Sequence, residues 1–457
     1  MKNIKNLLLL FALAILTEQG LCQRDVMLVH GFGDNNSAWN VYQPFLQGFI
    51  GQPTASVFRR GYVTGQGVQR GINDVTSFLS SDNQRIAIGQ SMGGIVLRER
   101  DRQVPNTSFG GIITLGSPNR GGALLNALQN GTVQAELQDG CSEVTQAVGA
   151  GTAALSFSLP IGSHLFFGIG TSIAIFSNRI CSEIINQVNS SLPTATAPQT
   201  VADLSEGSQI INDLTNSNTP TFKIGVFGVE NSPVHMRVLS SLQNDPFGQP
   251  LDANNTDQEL VDLFNTVTDV VSIAQDVFTV GAVIYSVGAI WYWPLLIRAA
   301  TYAWAAYEFS DAGRWLAQSE SKWHAIIGAG GFFAERQGMR WLTSTCQQQL
   351  DAAFDLYEQQ QMTRQQWSLI RQTIMSDPNC FETVVSEVFI PINNQSDGLF
   401  NAGTQRIPND PFDPTHVVNL QVDGVNHREF YNHSNMTQQF RDIFQGRSGA
   451  NNFFKLL

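Results

Sequence analysis

The fold of this chain is decided by the stretch Arg85-Ile86-Ala87-Ile88-Gly89-Gln90-Ser91-Met92-Gly93. The short apolar run 85–88 predicts a buried strand, and Ile95-Val96-Leu97 with the charged residues 98–100 predicts an amphipathic helix. Ser91 is therefore expected on a sharp strand-to-helix turn, with its hydroxyl raised above a sheet. Glycines at 89 and 93 remove the Cβ atoms that would clash in so tight a turn. The positive end of the helix would face any negative charge that develops beside Ser91.

A G-x-S-x-G pentapeptide alone is weak evidence in a glycine-rich chain, but three further segments follow in the order that a serine hydrolase requires. Each pairs a buried strand with a functional loop. They are strand 25–29 with His30-Gly31-Phe32-Gly33, strand 111–115 with Gly116-Ser117-Pro118-Asn119-Arg120-Gly121-Gly122, and strand 417–422 with Gly424-Val425-Asn426-His427. The first loop can offer a backbone N–H to an oxyanion, and the last carries a candidate base.

These motifs resemble those of the α/β-hydrolase superfamily, in particular its lipase type. The segment Asp203-Leu204-Ser205-Glu206-Gly207-Ser208, before a predicted strand at 222–229, is also similar to lipases. The resemblance covers about the first hundred residues after the N-terminal leader and the last sixty. It implies an α/β core with a mostly parallel sheet and large, mainly helical, apolar cap or lid insertions. Cofactors are not expected.

Two positions qualify the resemblance. Gln90 stands where these lipases usually carry His, and we expect it to alter the packing behind the serine rather than the chemistry. Glu429 stands where some bacterial lipases hold calcium, but the sequence offers no second ligand. No metal site is therefore predicted.

The candidate catalytic set is Ser91, His427 and Asp397, because a serine hydroxyl needs a base and the base needs a carboxylate to orient it. His427 follows the last core strand, whereas His416 precedes it and His433 lies on a predicted helix; His30 is expected to be structural.

Asp397 lies between strand 388–391 and the histidine strand. Glu230 is the main alternative acid, and Asp423 is expected to shape the turn. The N–H groups of Phe32 and Met92 are the candidate oxyanion hole.

The N-terminus and the cysteines indicate export. Residues 1–22 contain Lys2 and Lys5, an apolar core and a polar end, which is typical of a secretory signal. Four of the five cysteines follow it, at positions 141, 181, 346 and 380. An even number in an exported chain favours two disulfides, with three possible pairings. Proximity in sequence favours Cys141–Cys181 and Cys346–Cys380; crossed bonds would lock the two insertions together.

The 457 residues are predicted to form one split core with two insertions. Core segments are expected at 23–122, 222–230 and 385–445, with a lid or cap at 123–221, a helical cap at 231–384 and a tail at 446–457. The stretch 277–297 is long enough to span a membrane, but a single span there would separate Ser91 from His427. Residues 336–372 have the apolar spacing of an amphipathic helix.

The net charge of −12, without a basic stripe, argues against binding of nucleic acid. Together with the resemblance, the apolar insertions imply a secreted carboxylic-ester hydrolase that acts on acyl lipids. Its partners would be a lipid or ester substrate and, transiently, a lipid surface touched through apolar contact. A thioesterase, a phospholipase or a lipid acyltransferase would have the same motifs. The alternative from another class is a non-catalytic lipid-binding protein on a hydrolase scaffold.

Overall fold

A six-stranded parallel sheet forms the centre of the described structure. The computed structural model describes residues 24–50, 57–77, 79–133, 135–136, 139, 197–217, 219–230, 318, 321–409, 416–449 and 452–456. The strands of the sheet are β1 (Val26–Val29), β2 (Val57–Arg60), β3 (Ile86–Gln90), β4 (Gly111–Leu115), β5 (Phe222–Val229) and β8 (Val417–Asp423). Their order is β2-β1-β3-β4-β5-β8, and all five pairings are parallel.

Helices cover both faces of this sheet. One face carries α2 (Val68–Thr76), α3 (Met92–Gln103), α4 (Ala123–Gln129), α5 (Pro198–Leu204) and α6 (Gln209–Thr215), and the other carries α1 (Tyr42–Ile50) and α10 (Ser434–Phe444). Alternate strand residues face the two layers: Met27 and Val29 pack on the first, Val26 and Leu28 on the second. Strands buried on both sides need apolar residues at every position. The predicted α/β core is therefore present.

The strands predicted from apolar runs match β1, β3, β4, β5 and β8 to within a residue or two. No apolar run predicts β2, which has only one fully buried residue, Val57, followed by Phe58, Arg59 and Arg60. This strand lies at the edge of the sheet, where one side is half solvated and charged residues are tolerated.

A separate antiparallel pair, β6 (Phe332–Leu342) and β7 (Phe381–Pro391), lies outside the main sheet. Two helices connect its strands, α7 (Ser344–Glu358) and α8 (Arg364–Ser376). The prediction of one amphipathic helix over 336–372 is therefore wrong in two places. Residues up to Leu342 are held as a strand by eleven-residue pairing with β7. The helical part is divided in two. Helix α7 ends at Glu358, shortly before Gln360, whose φ is +58°, and α8 begins with a capping box formed by Thr363 and Gln366.

A disulfide joins Cys346 to Cys380 at the base of α7 and α8. The predicted bond between these residues is confirmed. It lies in a small core of its own with Ile374, and Leu342, Leu350, Ile370 and Phe381 pack around it. Cys141 and Cys181, and with them the other predicted bond, lie outside the described residues.

The remaining predicted boundaries can be placed only in part. Strand β7 runs across the expected boundary between 384 and 385. In the tail 446–457, Phe454 and Leu456 are buried against the core. A last short helix of the core, α9 (Ala402–Gln405), lies between β7 and β8. The leader at 1–22, the stretch 277–297 and more than half of each insertion lie outside the described ranges. Within those ranges, no helix combines the length and apolarity that a membrane span requires.

Removing the disulfide is expected to loosen the α7–α8 unit and not the parallel sheet. The bond closes a loop with a sequence separation of 34, for which the chain-entropy account gives about 3–4 kcal/mol. A Cys346→Ser/Cys380→Ser double variant should lose amide hydrogen-exchange protection within 332–391 while β3 and β4 keep theirs. Equal loss of protection in the central strands would show that the unit does not unfold independently.

Candidate active site

Ser91 lies at the carboxyl end of the central strand β3, where the chain turns into α3. Its backbone is in the left-handed region, with φ +51° and ψ −125°, a conformation that is costly for a residue with a Cβ. The amide N–H of Ser91 donates to the carbonyl of Leu115 on β4, at 2.8 Å. As the residue before the first turn of α3, Ser91 faces the positive end of a twelve-residue helix.

The two glycines of the pentapeptide allow the backbones of this turn to touch. A Cβ on Gly93 would lie 2.6 Å from the carbonyl oxygen of His30 and 2.7 Å from that of Val29. A Cβ on Gly89 would lie 2.5 Å from the carbonyl carbon of Gly93. The elbow therefore packs directly against the end of β1, as the sequence motif predicts.

The ring of His427 lies between Ser91 and Asp397. Its Nε2 is 2.9 Å from the Oγ of Ser91, and its Nδ1 is 2.7 Å from the Oδ2 of Asp397. With Nδ1 protonated, His427 donates to the carboxylate and its Nε2 accepts from the serine hydroxyl. The three predicted residues are thus brought together in the geometry that nucleophilic catalysis by serine requires.

A tight loop holds the carboxylate of Asp397. Its Oδ1 accepts hydrogen bonds from the amides of Leu399 and Phe400, at 3.0 and 2.8 Å, and the carbonyl of Asp397 accepts from the amide of His427 at 2.9 Å. Asp397 is fully buried, and charge-assisted hydrogen bonds of this kind compensate a buried carboxylate. The ring of Phe400 stands edge-on to the imidazole of His427 with centroids 5.1 Å apart.

The two alternative acids lie elsewhere. Glu230 follows β5, and its backbone amide donates to the carbonyl of Ser396 at 2.9 Å, which fixes the start of the acid loop. Asp423 is exposed at the end of β8 and accepts a hydrogen bond from Gln421. The Nδ1 of His427 contacts Asp397 and its Nε2 contacts Ser91. The described contacts therefore favour Asp397 as the acid.

The loop 30–33 lies over the elbow, beside Ser91. A Cβ on Gly31 would lie 3.0 Å from the Cβ of Ser91 and would overlap the Oε1 of Gln90. Within the described part of the chain, the amide N–H groups of Phe32 and Met92 donate to no acceptor. One backbone donor in this loop and one directly after Ser91 are therefore left over, and an oxyanion needs donors of this kind.

The other candidate residues take structural positions. His30 stacks on Tyr62 with centroids 4.7 Å apart, and its carbonyl accepts from the Tyr62 hydroxyl; burial lowers the pKa of His30 below its usual value. The carboxylate of Glu429 accepts from the amide of Asn426, at 2.9 Å. No group of three or more His, Cys, Asp or Glu side chains that could bind a metal occurs among the described residues.

The sequence analysis missed two buried side chains that pack behind this set. Tyr431 lies four residues beyond His427 and contacts both Gln90 and Gly31. Trp323, from the segment expected to be cap, donates its indole N–H to the carbonyl of Gly398 in the acid loop, at 3.3 Å. Neither residue lies in a motif, and only the folded chain brings them to the site.

No family model matches this chain, and no curated protein matches it. Among solved structures, the chain is similar to lipase 1 from Pelosinus fermentans, with 11% identity over 46% of this chain and 70% of that one and a TM-score of 0.27. It is also similar to an extracellular alpha/beta-hydrolase from a Paenibacillus species, with 13% identity over 44% and 76% of the two chains and a TM-score of 0.23. Likeness at this level leaves the function to be inferred from the residues of the site.

Substituting Gly93 by Ala is expected to destabilise the protein, because the added methyl would meet the His30 and Val29 carbonyls, which belong to rigid backbone. Overpacking of this kind costs about 1–3 kcal/mol or more. Gly48, inside α1, is the matched control, since its Cβ would meet nothing within 4 Å. Gly48→Ala should stabilise the protein by roughly 0.5–1 kcal/mol through helix propensity. Urea unfolding of both variants measures the difference; equal stabilities would contradict the close backbone contact at the elbow.

Proposed function

We propose that the protein is a secreted serine hydrolase that cleaves carboxylic esters of acyl lipids through an acyl-enzyme. The observation that carries this proposal is the contact of His427 with both Ser91 and Asp397, at 2.9 and 2.7 Å. A serine hydroxyl, an oriented imidazole and a buried carboxylate together turn a serine into a nucleophile near neutral pH.

In the proposed reaction, the Oγ of Ser91 attacks the ester carbonyl carbon while its proton moves to the Nε2 of His427. The carbonyl oxygen becomes an oxyanion that accepts hydrogen bonds from the N–H groups of Phe32 and Met92. The intermediate collapses, the alcohol leaves with the proton from Nε2, and the acyl group stays on Ser91. Water then attacks the acyl-enzyme and gives up a proton to Nε2 of His427. His427 returns this proton to the Oγ of Ser91 as the acyl–oxygen bond breaks, and the free acid departs.

Asp397 keeps the ring of His427 in one tautomer and stabilises its protonated form. Two loop amides and the imidazole hold this carboxylate in place by donating hydrogen bonds to it. The helix α3 adds partial positive charge near the reacting carbonyl. No step in this scheme requires a cofactor.

The lipid substrate is inferred from the sequence rather than from the site. The two insertions are unusually apolar, and with a net charge of −12 the protein would meet a lipid surface through apolar contact. Export is supported by the signal-like leader at 1–22 and by the Cys346–Cys380 disulfide, since such bonds persist in oxidising compartments. A thioesterase, phospholipase or acyltransferase would use the same triad.

Ser91→Ala and His427→Ala are each expected to lower kcat on p-nitrophenyl esters by about 10⁴ or more, because triad residues act as a unit. Near-ultraviolet circular dichroism should show that both variants stay folded. A fluorophosphonate should label the wild type and fail to label Ser91→Ala. Folded Ser91→Ala with wild-type turnover, or an unlabelled wild type that hydrolyses no ester, would leave the non-catalytic lipid-binding protein as the better hypothesis.

The identity of the acid has its own test. Asp397→Asn keeps the shape of the side chain but removes the charge that orients His427, and is expected to lower kcat by about 10⁴. Glu230→Gln is the matched variant, and it should retain most of the activity because the described contact of Glu230 with the acid loop is made by its backbone amide, which the substitution keeps. A larger loss in Glu230→Gln than in Asp397→Asn would reassign the acid.

A further inference from the structure

Gln90, the residue before the candidate nucleophile, has its carboxamide fully engaged behind the site. Its Nε2 donates to the carbonyl oxygen of His427 at 2.9 Å, and its Oε1 accepts from the hydroxyl of Tyr431 at 2.9 Å. The hydroxyl of Tyr431 in turn accepts from the amide of Gly31 at 2.8 Å. One short relay therefore joins the backbone of the oxyanion loop to the backbone of the histidine loop.

The directions of these hydrogen bonds are fixed by chemistry. A carbonyl can only accept, so the NH₂ of Gln90 must face His427 and its oxygen must face Tyr431. A hydroxyl has one proton, so Tyr431 accepts from Gly31 and donates to Gln90. Every group in the relay finds a partner of the right polarity, which is what a buried polar chain requires.

The relay is buried and uncharged. Gln90 is 2% and Tyr431 7% exposed. Burial, and after it the negative charge of Asp34, raises the pKa of the Tyr431 hydroxyl well above its usual value. The hydroxyl therefore keeps its proton throughout the range in which enzymes work, and the link between the two loops does not titrate.

The relay connects the loop 30–33 to the loop 424–427. These loops are distant in sequence, but both must be correctly positioned relative to Ser91. Gly31 precedes Phe32, a candidate oxyanion donor, and His427 is the candidate base. Ser91 directly follows Gln90 in the chain. The side-chain amide of Gln90 is hydrogen-bonded to the backbone of His427 and, through Tyr431, to the amide before Phe32. A misplacement of about 1 Å in such a site can cost a hundredfold in rate.

We propose that Gln90 is a positioning residue that sets both the histidine loop and the oxyanion loop relative to Ser91, with Tyr431 as its relay to the oxyanion loop. This inference rests on the proposed hydrolase function for its effect on rate, but its effect on the geometry of His427 does not. It replaces the expectation that a Gln at this position alters only packing.

The test uses two variants and one matched control. Gln90→Met keeps a similar length and volume but loses both hydrogen bonds, whereas Tyr431→Phe loses only the relay hydroxyl. Tyr42→Phe is the control, because the Tyr42 hydroxyl is also buried and donates to a backbone carbonyl, that of His433, at 2.9 Å. Tyr42 packs in the same apolar cluster as Tyr431.

Two readouts separate geometry from catalysis. The first is the downfield proton NMR signal of the His427 Nδ1–H bonded to Asp397, assigned by its loss in His427→Ala and recorded without substrate. The second is the pair of constants kcat and KM on p-nitrophenyl butyrate. Unfolding midpoints of all variants are measured alongside, so that a general loss of stability is recognised.

Gln90→Met is expected to shift or broaden the His427 signal and to lower kcat by about tenfold to a hundredfold with little change in KM. Tyr431→Phe should leave the His427 signal in place and still lower kcat, because its hydrogen bond holds the oxyanion loop. Tyr42→Phe should change neither readout, although its unfolding midpoint falls as in Tyr431→Phe.

An unchanged His427 signal and wild-type kcat in folded Gln90→Met would overturn the proposal, as would equal losses of kcat in Tyr42→Phe and Tyr431→Phe. A shifted signal in Gln90→Met, in a protein whose wild type neither hydrolyses esters nor reacts with a fluorophosphonate, would support the positioning role and reject the hydrolase. Ester hydrolysis by the wild type, with the same kcat and the same His427 signal in Gln90→Met, would support the hydrolase and reject the positioning role.

Discussion

The contact on which the site depends is the close approach of two backbones at the elbow. Gly93 packs against the carbonyls of Val29 and His30, and this holds the end of β1 beside the start of α3. Ser91 has a left-handed backbone conformation because the chain must reverse within that small space. The same reversal brings Gly31 of the loop 30–33 close to Ser91. The position of Ser91 at the start of α3, beside the loop 30–33, thus follows from one steric constraint.

The centre of the parallel sheet could be predicted because β1, β3, β4 and β5 are buried on both faces and their sequences are largely apolar. Ser91 and His427 could be predicted because each follows a strand of this sheet, and loops at the carboxyl ends of parallel strands converge. Asp397 was the harder assignment, since its loop follows β7, which pairs with β6 and not with the sheet. Its contact with His427 depends on hydrogen bonds within the loop that no periodicity encodes.

What could not be predicted depends on contacts between segments distant in the chain. Residues 336–342 have apolar spacing that suits a helix, but pairing with β7 holds them as a strand, so tertiary contacts override local pattern. Strand β2 has no apolar pattern, because its position at the edge of the sheet tolerates two arginines. Tyr431 lies in no motif, and its role behind Gln90 emerges only when residues 31, 90 and 431 meet. Local sequence predicts which residues are buried, but it does not predict which distant residues they contact.

The pairing of β5 with β8 has a consequence for biosynthesis. These neighbours in the sheet are separated by nearly two hundred residues, from Lys223 paired with Val417 to Val229 paired with Asp423. Both Asp397 and His427 belong to this late part of the chain, while Ser91 is made early. During translation the serine is therefore without its base until almost the whole polypeptide has left the ribosome. Contacts so distant in sequence also form slowly. The proposed active site is therefore complete only after the C-terminal part of the chain has joined the sheet.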